Sequence, residues 1–384
     1  MSNQPNALTY LIVTINIFSL SCFIKPAVSQ SCIHKNQCQN IKKHEIYIAQ
    51  NSAEENINKG LKSVTSGDLA SALVYFDLAL ETDPNNVEAY VHRGTTYTLL
   101  RKPEKALADF NRALEINPQN TDGLNNRGIA YQDLEKTDLA LADYEKAISL
   151  GDTNAYVNRG KLFTQQGKLE EALADYNQAI QLNDKDAGAY FNRGLLYQKL
   201  GQPKLELADY DRAIELLQPD SQPKVNFLVL SQAHFNRGLL YSELGQQNRA
   251  TADFTKAIQV NGNNHKAFHS RGLIYRDVGQ TDLALADFNR AIELNPNYGK
   301  AYTNRGILFL QQNQIEKALA DYNRAIEVNP ELPEAYASRG LLLHQMEETE
   351  RGIQDLEKAA NLFKLQKNTV SYQSMLQIIE KLKK

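Results

Sequence analysis

From residue 53 almost to the C-terminus, apolar side chains recur at steps of three and four, the period of a helix with one buried face. In the stretch that starts at Val87, Tyr90, Gly94 and Tyr97 share one face at i, i+4 and i+7, while Ala106, Phe110 and Ala113 share another. Arg101-Lys102-Pro103 separates the two stripes and Asn117-Pro118 ends the second, because proline cannot continue a helix. The pattern predicts two short helices folded back on each other.

The pair of stripes is then copied. Its clearest copy is Ala301 to Pro330, and the Arg305-Gly306 step inside it recurs at 93-94, 127-128, 159-160, 193-194, 237-238, 271-272 and 339-340, mostly 34 residues apart. A fixed period in this range means stacked helical hairpins, an array that lengthens by adding units. Glycine inside a helix costs about 1 kcal/mol relative to alanine, so its repetition demands a packing reason. The expected reason is small against small: Gly94 opposite Ala106 and Ala113, with Tyr97 and Phe110 filling the sides.

These residues carry a resemblance. Glycine and an aromatic on the first helix, alanine–aromatic–alanine on the second and a closing proline are hallmarks of the tetratricopeptide repeat family. Tyr302, Gly306, Phe309, Ala318, Tyr322, Ala325 and Pro330 supply them in one unit, and Gly60, Ala72, Phe76, Ala79 and Pro84 mark a degenerate first unit. The chain resembles that family from Ala53 to about Gln366. The resemblance implies an all-α fold, a right-handed α-α superhelix of about nine helical hairpins over residues 53–366, with protein–protein interaction as its work. Residues 367–384, with Val370, Met375, Ile378, Ile379 and Leu382 at amphipathic spacing, read as a capping helix whose Lys381, Lys383 and Lys384 suit its C-terminus.

Three units depart from the pattern. The one from Thr121 is two residues short and ends without Asn-Pro. The one from Ala187 has Glu206 where its siblings have alanine, and an insertion near 218–230 whose prolines must break the helix before Val225 to Leu230 lengthens the next one. The last carries Leu343, Gly352 and Leu356 in place of aromatic, alanine and aromatic.

Charge and composition narrow the partners. With 42 basic and 45 acidic residues the net charge is -3, so nothing draws the chain broadly to phosphate backbones and no nucleic acid is expected. Residues 1–29 differ from the rest: Leu8 to Ile24 is largely apolar and Ala27-Val28-Ser29 resembles a cleavage site, which reads as an export signal or a membrane anchor, although Met1 to Asn6 lacks the usual positive charge. That places the protein outside the cytoplasm, exported or membrane-anchored. Residues 30–52 form a polar linker in which Cys32 and Cys38 are suited to a small disulfide loop. His265 and His269 stand at i, i+4 with Lys266 between them and no third ligand in view, and read as solvated histidines rather than a metal site. No phosphate loop, nucleophile elbow or HExxH is present, so the chain reads as a non-enzyme that needs no cofactor.

Two ladders remain. Eight units pair an arginine before the glycine with an aspartate before the second-helix aromatic, Asp109, Asp143, Asp175, Asp209, Asp253, Asp287, Asp321 and Asp355. They are expected to meet as structural ion pairs, the other reading being a comb for anionic ligands. Asparagines stand just before five of the arginines, at Asn126, Asn158, Asn192, Asn236 and Asn304. A carboxamide offers donor and acceptor together, so spaced copies suit the backbone of an extended peptide; family members that bind peptides use asparagines in this way. Beside them Phe191, Leu195, Phe235 and Leu239 form an apolar stripe next to the insertion, fit for a partner's anchor residues. The expected function is a scaffold that binds an extended segment of a protein partner in the concave groove. A self-assembling structural component of an extracytoplasmic or membrane-associated complex is the alternative, and an RNA-binding helical repeat ranks behind both.

Overall fold

In the computed structural model, residues 52–217 and 226–384 are described. The export and anchor reading of residues 1–29, the cysteine pair and most of the insertion lie outside them. Nineteen helices and no strand occur among the described residues, and they form two compact units. The first, up to Lys136, holds α1 (52–65), α2 (Leu69–Thr82), α3 (Val87–Leu99), α4 (Pro103–Ile116) and α5 (Thr121–Asp133). The second, Thr137–Lys384, opens with α6 (Thr137–Ser149) and continues as hairpins. These are α7 (Thr153–Gln166) with α8 (Leu169–Leu182), α9 (Ala187–Lys199) with α10 (Pro203–Leu216), and α11 (Phe227–Glu243) with α12 (Gln247–Val260). Then come α13 (His265–Asp277) with α14 (Thr281–Leu294), α15 (Gly299–Gln311) with α16 (Ile315–Val328), and α17 (Pro333–Gln345) with α18 (Thr349–Leu365). A last helix, α19 (Thr369–Leu382), packs on α18 through Met375 and Ile379.

Local chemistry sets the ends. Asn117 closes α4, and its Oδ1 accepts from the backbone N–H of Gln119 at 3.1 Å; three residues on, Asn120 caps α5 by accepting from Gly123 at 2.6 Å. Such Asn side chains replace the backbone partners that helix ends lack. The tight turn inside each hairpin needs one left-handed residue, which is Gly279 after α13 (φ 75°) but Glu347 after α17 (φ 64°).

The recurrent glycine has a different reason from the one expected. A Cβ on Gly94 would lie 2.6 Å from Cε1 of Phe110, and one on Gly306 2.6 Å from Cε1 of Tyr322. The first helix is bare at that point so that the aromatic edge of the second can rest on its backbone. Ala106 and Ala113 are fully buried on either side of Phe110, one turn away along α4. Where the last hairpin carries Leu356 for the aromatic, Gly352 takes the alanine's place, and a Cβ there would meet the carbonyl oxygen of Gly340 at 2.5 Å.

In seven hairpins an arginine fastens the two helices. Arg305 Nε and Nη2 donate to the two carboxylate oxygens of Asp321 at 2.8 and 2.7 Å, a forked pair of charge-assisted bonds. Arg93–Asp109, Arg159–Asp175, Arg193–Asp209, Arg237–Asp253, Arg271–Asp287 and Arg339–Asp355 repeat it. The aspartates are buried and the arginines largely so. Each guanidinium plane also rests on rings of its own helix, as Arg305 does on Tyr302 (5.5 Å) and Phe309 (5.6 Å). The third nitrogen reaches back one hairpin: Arg305 Nη1 donates to Asn289 Oδ1 at 2.7 Å, Arg339 to Asn323 at 2.7 Å, Arg237 to Asp211 at 2.6 Å and Arg93 to Asp77 at 2.6 Å. One side chain thus ties its own hairpin and the one before it.

Candidate functional site

First helices of successive hairpins in the second unit leave a groove of about 420 Å³ between them. Its walls come from α9, α11, the turn before α13 and the first residues of α13. The apolar part is Phe191 and Leu195 on α9 with Leu228 and Phe235 on α11; the polar part includes Asn236, Asn263, Asn264 and Lys266. Insertion sequence makes this place unlike the other hairpins. The helix after it, α11, has 17 residues where α9 and α13 have 13, and its extra turn at the N-terminus carries Leu228 into the groove. Leu228 is 58% exposed, a large apolar side chain that nothing in the described chain covers.

The candidate residues separate by role. Phe191 is only 7% exposed and packs 6.0 Å from the ring of Tyr210, so its body belongs to the hydrophobic core and only its edge faces the groove. Leu195 packs partly on the same core. Phe235, half-buried against Phe254, is the more accessible aromatic, and Leu239 packs beside it without lining the groove. Leu228 was missed in the sequence because it lies before the repeat's register begins; the apolar run Phe227-Leu228-Val229-Leu230 in an inserted helical turn was the available signal.

The asparagines do not act as one set. Asn236 lines the groove and its carboxamide bonds to no described residue. Asn192 donates to the Gly188 carbonyl of its own helix at 2.6 Å. Asn158 accepts from Lys161 Nζ at 3.4 Å, and Asn126, half-buried on α5, belongs to the first unit. Asn304 is engaged on three sides: it donates to Lys300 O at 2.8 Å and to His269 Nε2 at 3.1 Å, and accepts from Arg276 Nη1 at 2.5 Å.

That network corrects the reading of the histidine pair. His269 is 6% exposed, set edge-on to Tyr298 at 5.1 Å, and its pKa is pushed down to about 4, first by burial and then by Lys300, Arg276 and His265. It is a neutral core imidazole joining α13 to α15 rather than a solvated one. His265, also edge-on to Tyr298 at 5.0 Å, is half-buried, and burial followed by Lys266 lowers its pKa too. The other outlier is Glu206. It is 3% exposed, one carboxylate oxygen bonds to nothing described, and its pKa rises to about 7, first through burial and then through Glu243.

Models of the tetratricopeptide repeat match residues 87–120, 121–154, 187–216, 231–264, 265–298, 288–320 and 333–364, and a TPR repeat model matches 160–201 and 308–347. Among solved structures, the APC/C hetero-tetramer Cut9-Hcn1 is 17% identical, with a TM-score of 0.58 over 79% of this chain and 59% of its own. YrrB, described as a TPR protein with an unusual peptide-binding site, is 25% identical with a TM-score of 0.41 over 53% of this chain and 97% of its own. PilF of Pseudomonas aeruginosa is 18% identical with a TM-score of 0.48 over 59% and 96%. No protein of curated function matches the sequence.

Proposed function

The chain belongs to the tetratricopeptide repeat family, and from that premise we propose that it is a non-catalytic interaction scaffold whose second unit binds an extended peptide segment of a partner protein. One observation carries the reading: a single groove gathers Phe191, Leu195, Phe235 and Asn236 around Leu228, exposed among the described residues. Leu228 and Phe235 accept an apolar side chain, and Asn236, with donor and acceptor both unused, holds the backbone beside it. Asn304 is left out of the binding set, since its carboxamide already serves His269 and Arg276.

Cross-linking and pull-down with the full chain, comparing wild type with Leu228→Ser/Asn236→Ala, tests this. The groove reading expects partners to be lost from the variant while its helical circular dichroism is kept. Recovery of the same partners at the same strength overturns it and favours assembly through other surfaces. Export by residues 1–29 is carried forward as a proposal as well. A mature chain that starts after Ser29 supports it, and a soluble cytosolic chain that still starts at Met1 overturns it.

A further inference from the structure

The polar end of the groove has a sign. Among the described residues no carboxylate lines it, and the formal charge of that lining is that of Lys266. Lys266 is the second residue of α13; Lys300 holds the same place on α15, and neither forms an ion pair among the described residues. Arg276 nearby is already committed to Asp277 and Asn304. The two imidazoles sit in that field: beyond burial, Lys266 beside His265 and Lys300 and Arg276 beside His269 disfavour protonation.

Resting on the peptide-groove reading above, we propose that the partner segment is acidic, with an apolar side chain seated against Leu228 and Phe235 and carboxylates beside it paired with Lys266 and Lys300. Charge complementarity selects it: a groove with an apolar floor and an uncompensated ammonium at one end repels cationic segments and leaves a neutral one with nothing to pair. The carboxylates belong to side chains rather than to a chain end. The two lysines stand at the same place on separate helices, α13 and α15, the first helices of successive hairpins. Each lysine takes its own carboxylate. An extended chain advances about 3.3 Å per residue, so acidic residues roughly two to four positions apart reach both lysines.

The test is selection from a library of short random peptides, fused at both ends so that no free carboxylate is presented, on the full chain. The enriched sequences are then measured by calorimetry at low and high salt. Enrichment of Asp or Glu close to an apolar residue is expected. So is a loss of about tenfold or more for Lys266→Glu/Lys300→Glu, with weakening by salt and a separate loss for Leu228→Ser. Peptides without acidic bias, weakened by Leu228→Ser but indifferent to the lysine reversal, would overturn the acidic partner and leave the groove standing. No enrichment, or binding indifferent to both variants, overturns the groove reading and this inference with it.

Discussion

At the scale of single residues, the repeated arginine does more than its ion pair. Arg305 is held by Asp321 at two points, by Asn289 at a third and by rings on its faces. Arg305→Ala leaves Asp321 buried and uncompensated, so a loss of roughly 3–5 kcal/mol in urea unfolding is expected. Arg305→Lys should recover less than half of it, because an ammonium has no fork to match the carboxylate and no plane to stack. Glu206 and His269 give opposite pH dependences. Glu206 is protonated at higher pH when folded (about 7) than its ordinary 4.5, so its contribution is intact below 4.5 and is lost as pH rises through 7. His269, at about 4 against an ordinary 6.5, contributes fully above 6.5 and loses its contribution as pH falls through 4. Glu206→Ala restores the sibling residue and should add about 1–3 kcal/mol at pH 8, with little change at pH 4. His269→Gln should flatten the acid side. Unfolding free energies across pH 4–9 for the three proteins check both signs.

At the scale of the helical hairpin, the close approach of glycine and aromatic edge is the joint. Gly306→Ala puts a methyl where Tyr322 already lies and should cost about 1–3 kcal/mol, as overpacking does. Tyr322→Leu in that background should recover part of the loss, since α17 and α18 already pack Gly340 against Leu356. The turn is a second place to act. Glu347 holds φ 64°, a conformation that glycine adopts without strain, so Glu347→Gly should be neutral or stabilising by about 1 kcal/mol at most, measured by thermal melts.

At the scale of the molecule, the helices of each unit pack on neighbours one or two places along the sequence, with no extensive contact between helices farther apart. Stability is then a sum of local terms. Hydrogen exchange of Gly306→Ala should show lost protection centred on α14 to α17, with α2 to α4 unchanged; a uniform loss would show that the array unfolds as one body. Among the described residues no helix is long and apolar enough to cross a membrane.

What this sequence determined by itself was whatever repetition and local chemistry can state. The 34-residue period, the hairpin helices, the proline and Asn-Pro ends and the Arg–Asp pairing were legible, because each is a relation between residues at a constant spacing and recurs until chance is excluded. The partner of the glycine was harder. Its Cβ clash with the aromatic lies across two helices, and the ring's direction depends on how the helices cross. Only the tertiary structure decided which members of a ladder are available. Asn192, Asn236 and Asn304 occupy one position of the repeat, yet a helix carbonyl takes the first and His269 with Arg276 takes the third, leaving Asn236 open in the groove. Phe191 and Phe235 likewise share a position and each meets the aromatic of its own hairpin, yet Phe191 lies in a buried cluster that Leu230 and Ala233 of α11 complete, while Phe235 stays half-buried. Equal positions in a repeat share a backbone environment, but whether a polar or apolar group is spent depends on its rotamer and on side chains from the adjoining hairpins, which no local spacing records.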